Sequence, residues 1–162
     1  MLTIARKFSF NAAHRLSETV SEGHPCSRVH GHTYKGEFSI TTAREPHELG
    51  GMFVDFSVLK QLLKKEVEDF FDHKFLTSDV NISKEGTVIL PIDPTVEYLT
   101  YLSTIKMYFA LKNVLSHSVF DAIASLCTTL YETERSWGAY SLMLPVNNED
   151  TLVKELSSVK NT

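Results

Sequence analysis

The sequence is poor in cysteine: of 162 residues, only Cys26 and Cys127 carry a thiol. Two cysteines cannot build a disulfide framework, so a reducing, cytoplasmic compartment is expected. Long apolar runs are also missing, and the N-terminus shows no charged-then-apolar leader pattern. Neither a membrane-spanning helix nor a secretory signal is expected. Positive charge is in short supply, with 16 Lys and Arg against 20 Asp and Glu. That balance argues against a general nucleic-acid binder. Internal repeats and low-complexity tracts are absent as well. What remains is an ordinary globular composition, long enough to bury a core, and a single domain over residues 1–162 is expected.

What stands out is Cys26-Ser27-Arg28-Val29-His30-Gly31-His32. In an extended chain, residues i and i+2 face the same side, so His30 and His32 can aim at one point. A metal needs three or four protein ligands, and His14 is the best third. It ends the run Phe8-Ser9-Phe10-Asn11-Ala12-Ala13-His14, where Phe8, Phe10, Ala12 and His14 share one parity. After His32, Tyr34, Phe38 and Ile40 continue the parity of His30 and His32. Two antiparallel strands, each with histidine at the end of its buried face, would bring the three rings together. Zn2+ is the first choice, because imidazole suits it. The loop from about Arg15 to Arg28 would fold Cys26 back towards the metal. His24, His47 and His117 lack such support and read as surface or loop residues.

Strands are expected over 3–14 and 32–42. From Ser57 to about Asp72, Leu59, Leu62, Leu63, Val67, Phe70 and Phe71 recur at three- and four-residue steps, an amphipathic helix capped by Asp55 or Ser57. Thr77 to Asp93 reads as a loop holding at most a short strand at Thr87–Leu90. Asp93-Pro94 reads as an N-cap followed by a first-turn proline, opening a second helix to about Leu115. Ala122–Glu132 and Ala139–Leu144 are strand candidates. The polar residues from about 147 are expected to fray. The fold class is therefore α+β, a four-stranded antiparallel sheet with two helices on one face.

Three further positions invite chemistry. Cys26 is an inert thiol, a fourth ligand of a closed zinc site, or a thiolate beside an open one. Asp72-His73 ends the first helix, where a histidine can simply satisfy the helix dipole or can pair with the carboxylate to relay a proton. Glu132 shares the parity of Leu126 and Leu130. It is either an exposed edge residue or a carboxylate waiting for a cation or donors. Glu134 exchanges places with it if a bulge intervenes.

Phe-x-Phe-x-Ala-Ala-His followed by Cys-x-x-x-His-Gly-His resembles the family of 6-pyruvoyl-tetrahydropterin synthase and 6-carboxy-tetrahydropterin synthase. Val54-Asp55-Phe56-Ser57-Val58-Leu59-Lys60, Phe71-Asp72-His73-Lys74-Phe75-Leu76, Pro94-Thr95-Val96-Glu97 and Tyr131-Glu132-Thr133-Glu134 fit in order. The resemblance runs from Phe8 to about Tyr140, and the segment between Glu97 and Tyr131 is longer than in typical relatives. It implies the tunnelling fold, in which subunit sheets join into a barrel, as trimers stacked into hexamers. It implies a zinc-dependent carbon–oxygen lyase acting on 7,8-dihydroneopterin triphosphate, with Cys26 as general base, Asp72 and His73 as relay, and Glu132 as pterin anchor. Thr95 would add a pterin contact or cap its helix. Arg15, Arg28 and Lys35 lie near the site in sequence, and either meet the triphosphate or are merely solvated. The short Cys-to-His spacing resembles the carboxy type, which yields 6-carboxy-5,6,7,8-tetrahydropterin with loss of triphosphate and acetaldehyde, on the route to queuosine. The pyruvoyl type, and a non-catalytic pterin- or purine-binding protein of the same fold, are the alternatives.

Overall fold

The architecture is that of a computed structural model, which describes residues 1–21, 23–82 and 84–162. Glu22, in the Arg15–Arg28 loop, and Ser83, in the Thr77–Asp93 connection, lie outside the described residues. Two long strands form the spine. β1 (Leu2–His14) and β2 (His30–Thr42) pair antiparallel along their whole length, from Leu2 opposite Thr42 to His14 opposite His30. The alternation works as read: Phe8, Phe10, Ala12 and His14 of β1 are buried, as are Tyr34, Phe38 and Ile40 of β2. Gly36 is one point where a side chain would not fit. The ring of Phe8 lies across it, so an added Cβ would come within 2.3 Å of ring carbon.

Among the described residues the sheet has seven strands rather than the four expected, with Trp137–Met143 at one edge and Lys160–Asn161 at the other. β5 (Ile123–Tyr131) and β6 (Trp137–Met143) continue the antiparallel half beside β2. β3 (Lys74–Thr77) runs parallel to β1, pairing only at Ala12–His14, and β4 (Thr87–Ile89) runs parallel to β3. β7 (Lys160–Asn161) closes that end antiparallel to β4. These extra strands are two to four residues long, too short for a period-two pattern to register. β6 also starts two residues earlier than expected.

The first helical stretch contains α1 (Phe56–Leu63), a π turn (Lys64–Glu68) and α2 (Asp69–Phe71). Asp55 caps it by accepting from the Ser57 amide at 2.7 Å. Leu59, Leu63, Val67 and Phe71 all face the core. Four-residue steps drift by about 40° each on a regular α-helix. The wider π turn absorbs that drift and keeps one stripe inward.

α3 (Val96–Val114) packs on β5 and β6 on one side and on α1 and the helix of residues Glu149–Ser158 on the other, so it is buried on most of its circumference. Two of its inward hydroxyls are satisfied within the helix: Thr100 Oγ1 donates to the Glu97 carbonyl at 2.8 Å and Thr104 Oγ1 to the Thr100 carbonyl at 2.9 Å. Thr95, not Asp93, is its N-cap, with Oγ1 accepting from the Tyr98 amide at 3.3 Å. α4 (His117–Phe120) is a single turn.

The chain after residue 147 is ordered rather than frayed. Asn148 caps α5 (Glu149–Ser158), Leu152 is buried, and the Tyr98 hydroxyl donates to Glu155 Oε1 at 2.6 Å. The Thr162 amide and carbonyl then bond Thr87 and Gly86, extending the β7 pairing. The polar composition hides what docks it: Leu152, with Leu156 and Val159 packed beside the core, the Tyr98–Glu155 bond and a strand edge.

Candidate metal centre and adjoining hollow

The register of β1 on β2 sets His14 directly across from His30 and Ala12 across from His32. His14 is therefore opposite one histidine and diagonal to the other, all three on the buried face. Ring centroids lie 4.5 Å apart for His14–His30, 5.1 Å for His14–His32 and 5.0 Å for His30–His32. One ring nitrogen from each lies within 4.8 Å of the other two, a group that could hold a metal ion.

Hydrogen bonds fix which nitrogens point inward. His14 Nδ1 donates to the Pro94 carbonyl at 2.9 Å, and His30 Nδ1 donates to the Arg28 carbonyl at 2.8 Å. Each ring then presents an Nε2 lone pair, and the two Nε2 atoms stand 3.0 Å apart. Two acceptors cannot bond each other. Among the described residues His32 Nε2 is buried with no hydrogen-bond partner. An extra proton would resolve this only by charging a ring, which burial opposes. Burial holds the pKa of His14 below the ordinary 6.5, against the pull of the Pro94 carbonyl. Burial lowers His32 likewise, against the Glu132 carboxylate. A cation is what three convergent neutral imidazoles fit, and carbonyl-fixed tautomers are the usual support of metal-binding histidines.

Glu132 lies one residue past β5, its amide bonded to the Ser136 carbonyl at 3.0 Å. Its side chain turns to the buried face: Oε1 is 3.5 Å from His14 Nε2 and 3.8 Å from His32 Nε2. Tyr34 lies beneath. Burial and the Glu132 carboxylate beside it push its hydroxyl far above the ordinary tyrosine range, so it stays a donor. Glu134 takes the other side, in an outer hollow of about 610 Å³ with Lys7, Lys35 and Tyr131.

Glu132 and Thr95 line one hollow of about 450 Å³, with Leu16, Val96, Arg135 and Trp137 on its walls. Thr95 thus both caps α3 and faces this space. The carbonyl of its neighbour Pro94, expected only to open the helix, orients His14.

Cys26 sits half-buried in a short 3-10 turn, Pro25–Ser27. Its amide donates to His24 Nδ1 at 3.1 Å, and its carbonyl accepts from the Leu16 amide at 2.9 Å. Among the described residues the metal-capable group contains the three histidines without Cys26. His24 is exposed, as expected of it, yet it holds the Cys26 turn. His47 and His117 are exposed.

Asp72 and His73 form a pair, His73 Nδ1 to Asp72 Oδ2 at 2.7 Å. Asp72 Oδ1 also accepts from the Asn11 amide at 2.8 Å, and that bond, ahead of His73, holds its carboxyl below the ordinary range. His73 has φ 57°, a left-handed backbone rare for a side-chain-bearing residue, and its side chain is 81 % exposed. Asn11 points away from the His14 face, and His73 lines an open outer hollow with Asn11, Gly31 and Thr33. A Cβ on Gly31 would meet only ordinary contacts at 3.5 Å, so packing does not demand glycine there. Of the cationic residues, Arg15 is paired with Asp79 at 2.7 Å, Lys35 lies on the outer face, and Arg28 is exposed. No helix among the described residues is long and apolar enough to cross a membrane.

Comparison with known proteins bears on this arrangement. A 6-carboxy-5,6,7,8-tetrahydropterin synthase of Haemophilus influenzae is 37% identical over 86 residues, spanning 50% of this chain and 56% of that protein. One from Synechocystis is 37% identical over 84 residues, 51% of this chain and 63% of that protein. A 6-pyruvoyl tetrahydrobiopterin synthase of Dictyostelium discoideum is 37% identical over 84 residues, 48% of this chain and 61% of that protein. Each match spans less than two thirds of the relative. Among solved structures, the 6-pyruvoyl tetrahydropterin synthase of Plasmodium falciparum superposes with a TM-score of 0.70 at 19% identity, covering 88% of this chain and 98% of that one. That of Caenorhabditis elegans gives 0.58 at 26% identity, over 87% and 95%. The family described as 6-pyruvoyl tetrahydropterin synthase matches residues 3–142, from the first residues of β1 almost to the end of β6 and across every histidine of the cluster. The chain belongs to the 6-pyruvoyl tetrahydropterin synthase family.

Proposed function

We propose that the protein is a zinc-dependent carbon–oxygen lyase that converts 7,8-dihydroneopterin triphosphate to 6-carboxy-5,6,7,8-tetrahydropterin, with loss of triphosphate and acetaldehyde, a step towards queuosine. The observation that carries this reading is the convergence of three imidazole nitrogens beside the Glu132–Thr95 hollow. The names of the bacterial relatives support the choice of product.

His14, His30 and His32 are the residues that would hold zinc, and the bound metal would supply Lewis-acid polarisation of the substrate's side-chain hydroxyls. Glu132 would accept the 2-amino and N3–H donors of the pterin, a bidentate charge-assisted pairing. Thr95 would contact the same ring across the hollow. Cys26, outside the group of three nitrogens, would take the proton from the side-chain carbon as a thiolate.

Asp72 would orient His73 and keep it a competent proton carrier. Their position beside Asn11, on the face opposite His14, is the reason to propose that they would serve the site of a neighbouring copy of the chain. Assembly is supported by two open edges. β6 has no outer partner among the described residues, and β1 is paired on its far side only at Ala12–His14. A homo-oligomer of trimer or hexamer form, working on a free pterin without nucleic acid or membrane, is the arrangement proposed.

A second reading, elimination of triphosphate to give 6-pyruvoyl-tetrahydropterin, is favoured by the name of the Dictyostelium relative. A non-catalytic pterin or purine binder would need neither Cys26 nor the Asp72–His73 pair. Incubation of the metal-loaded protein with 7,8-dihydroneopterin triphosphate, with products identified by mass, tests all three. 6-Carboxy-tetrahydropterin and acetaldehyde are expected. A pyruvoyl product selects the second reading, and unchanged substrate overturns both.

A further inference from the structure

Asp93 is a buried carboxylate, 1% exposed, that the chemistry above does not use. Burying a carboxylate is costly unless donors meet it. Here five do. Ser78 Oγ donates at 2.6 Å and Ser17 Oγ at 3.2 Å to Oδ1. The Glu18 amide at 2.7 Å, the Thr19 amide at 2.9 Å and the Thr19 hydroxyl at 2.9 Å donate to Oδ2. Burial works against the charge, but these bonds outweigh it and hold the carboxyl well below the ordinary range.

Four of the five donors belong to Ser17–Thr19, the first limb of the loop that carries Cys26. The preceding residue, Leu16, bonds the Cys26 carbonyl through its amide at 2.9 Å. The grip on Ser17 is therefore one residue from the bond that places Cys26. The next residue after Asp93 is Pro94, whose carbonyl takes the His14 Nδ1–H. The one after that is Thr95, whose amide bonds the Asp93 carbonyl at 2.8 Å and whose side chain faces the hollow. Three consecutive residues thus address the cysteine loop, a histidine of the cluster and the ligand space.

We infer that Asp93 is a positioning residue: its carboxylate latches the Ser17–Thr19 limb and so fixes Cys26 relative to the three histidines. The inference rests on reading Cys26 as the proton-transfer group. A buried aspartate that merely ties two loops together would stabilise the fold and do no more.

The test separates these roles by the reactivity of Cys26. With Cys127→Ser in place, Cys26 is the remaining thiol, and its alkylation by iodoacetamide can be timed in the folded, zinc-loaded protein. Asp93→Asn removes a charged acceptor, a loss that corresponds to about tenfold or more in a local opening equilibrium. Alkylation of Cys26 should accelerate by that factor. Zinc content should stay at that of the parent, and KM should hold while kcat falls about 10–100-fold, the usual effect of losing an outer support. Where Asp93→Asn does not fold, the double variant Ser17→Ala/Thr19→Val removes donors and leaves the carboxylate, and it should accelerate alkylation in the same direction. Folded variants that alkylate Cys26 at the parental rate overturn the latch. Absence of turnover in the parent would instead fail the lyase reading, and the alkylation rates would still decide whether Asp93 holds the loop.

Discussion

His14 Nε2 and His30 Nε2 face each other at 3.0 Å, each on a ring whose other nitrogen is committed to a backbone carbonyl. Two lone pairs this close repel unless they share a cation. Zinc should therefore be bound at one ion per chain. His14→Ala, His30→Ala and His32→Ala should each lose on dialysis the zinc that the parent retains, read by elemental analysis. A variant that keeps its zinc removes that histidine from the set.

Acid should act on the same cluster. Burial lowers the pKa of His14 and His32 in the fold below the ordinary 6.5. The unfolded chain therefore binds more protons in the window from 6.5 downward, and the stability of the metal-free protein is full above 6.5 and lost as pH falls through the depressed values. Denaturant midpoints of the metal-free protein at pH 7.5 and 5.5 should show the lower value at pH 5.5. His14→Phe should flatten the slope. An equal or higher midpoint at pH 5.5 would remove the buried neutral histidines.

Glu132 and Cys26 should fail differently when removed. Glu132→Ala deletes a charge-assisted acceptor worth about 1.5–3 kcal/mol. Equilibrium pterin binding should weaken about tenfold or more, while Glu134→Ala on the outer face should bind like the parent. Cys26→Ala should keep zinc and pterin affinity and lose turnover by about 10²–10⁴. Normal binding by Glu132→Ala would mean that the anchor lies elsewhere.

If Asp72 and His73 serve a neighbouring copy, Cys26→Ala and His73→Ala should each be inactive alone and recover activity when unfolded and refolded together. Mixed oligomers contain sites with one intact Cys26 and one intact His73. No recovery, or a monomer on sedimentation at assay concentration, would place the relay within one chain or dismiss it.

The C-terminal segment offers a test of the fold itself. Leu152 is its one buried anchor, and Leu152→Ala should cost about 2–4 kcal/mol by the usual core-truncation range. A change of a few tenths in a denaturant titration would show that the segment contributes nothing.

Much of this was legible before any coordinates. Parity along Phe8–His14 and His30–Ile40 was enough to bring three histidines to one point, because a strand's period of two admits no ambiguity once one face is apolar. The same parity put Glu132 on the inner face. Glu134 shares that parity, and it reaches the outer hollow because β5 ends at Tyr131 and the chain turns there. Of the short strands, β4 falls where a strand was admitted at Thr87–Leu90, but β3 and β7 were not legible, since they are defined by partners remote in sequence. Asp93 looked like a helix cap because Asp-Pro commonly is one. Its carboxylate instead answers to Ser17–Thr19, more than seventy residues away, and no local pattern encodes that. Pro94 was read only as a first-turn proline, and its hold on His14 escaped for the related reason that its carbonyl, not its side chain, does the orienting.

X-ray absorption at the zinc edge of the loaded protein reads the coordination shell directly. The account predicts nitrogen and oxygen scatterers alone, with zinc–nitrogen distances of about 2.0–2.1 Å, and the same spectrum from Cys26→Ala. A sulfur scatterer at about 2.3 Å that disappears in Cys26→Ala would make the cysteine a ligand of a closed site, and would contradict its role as the base.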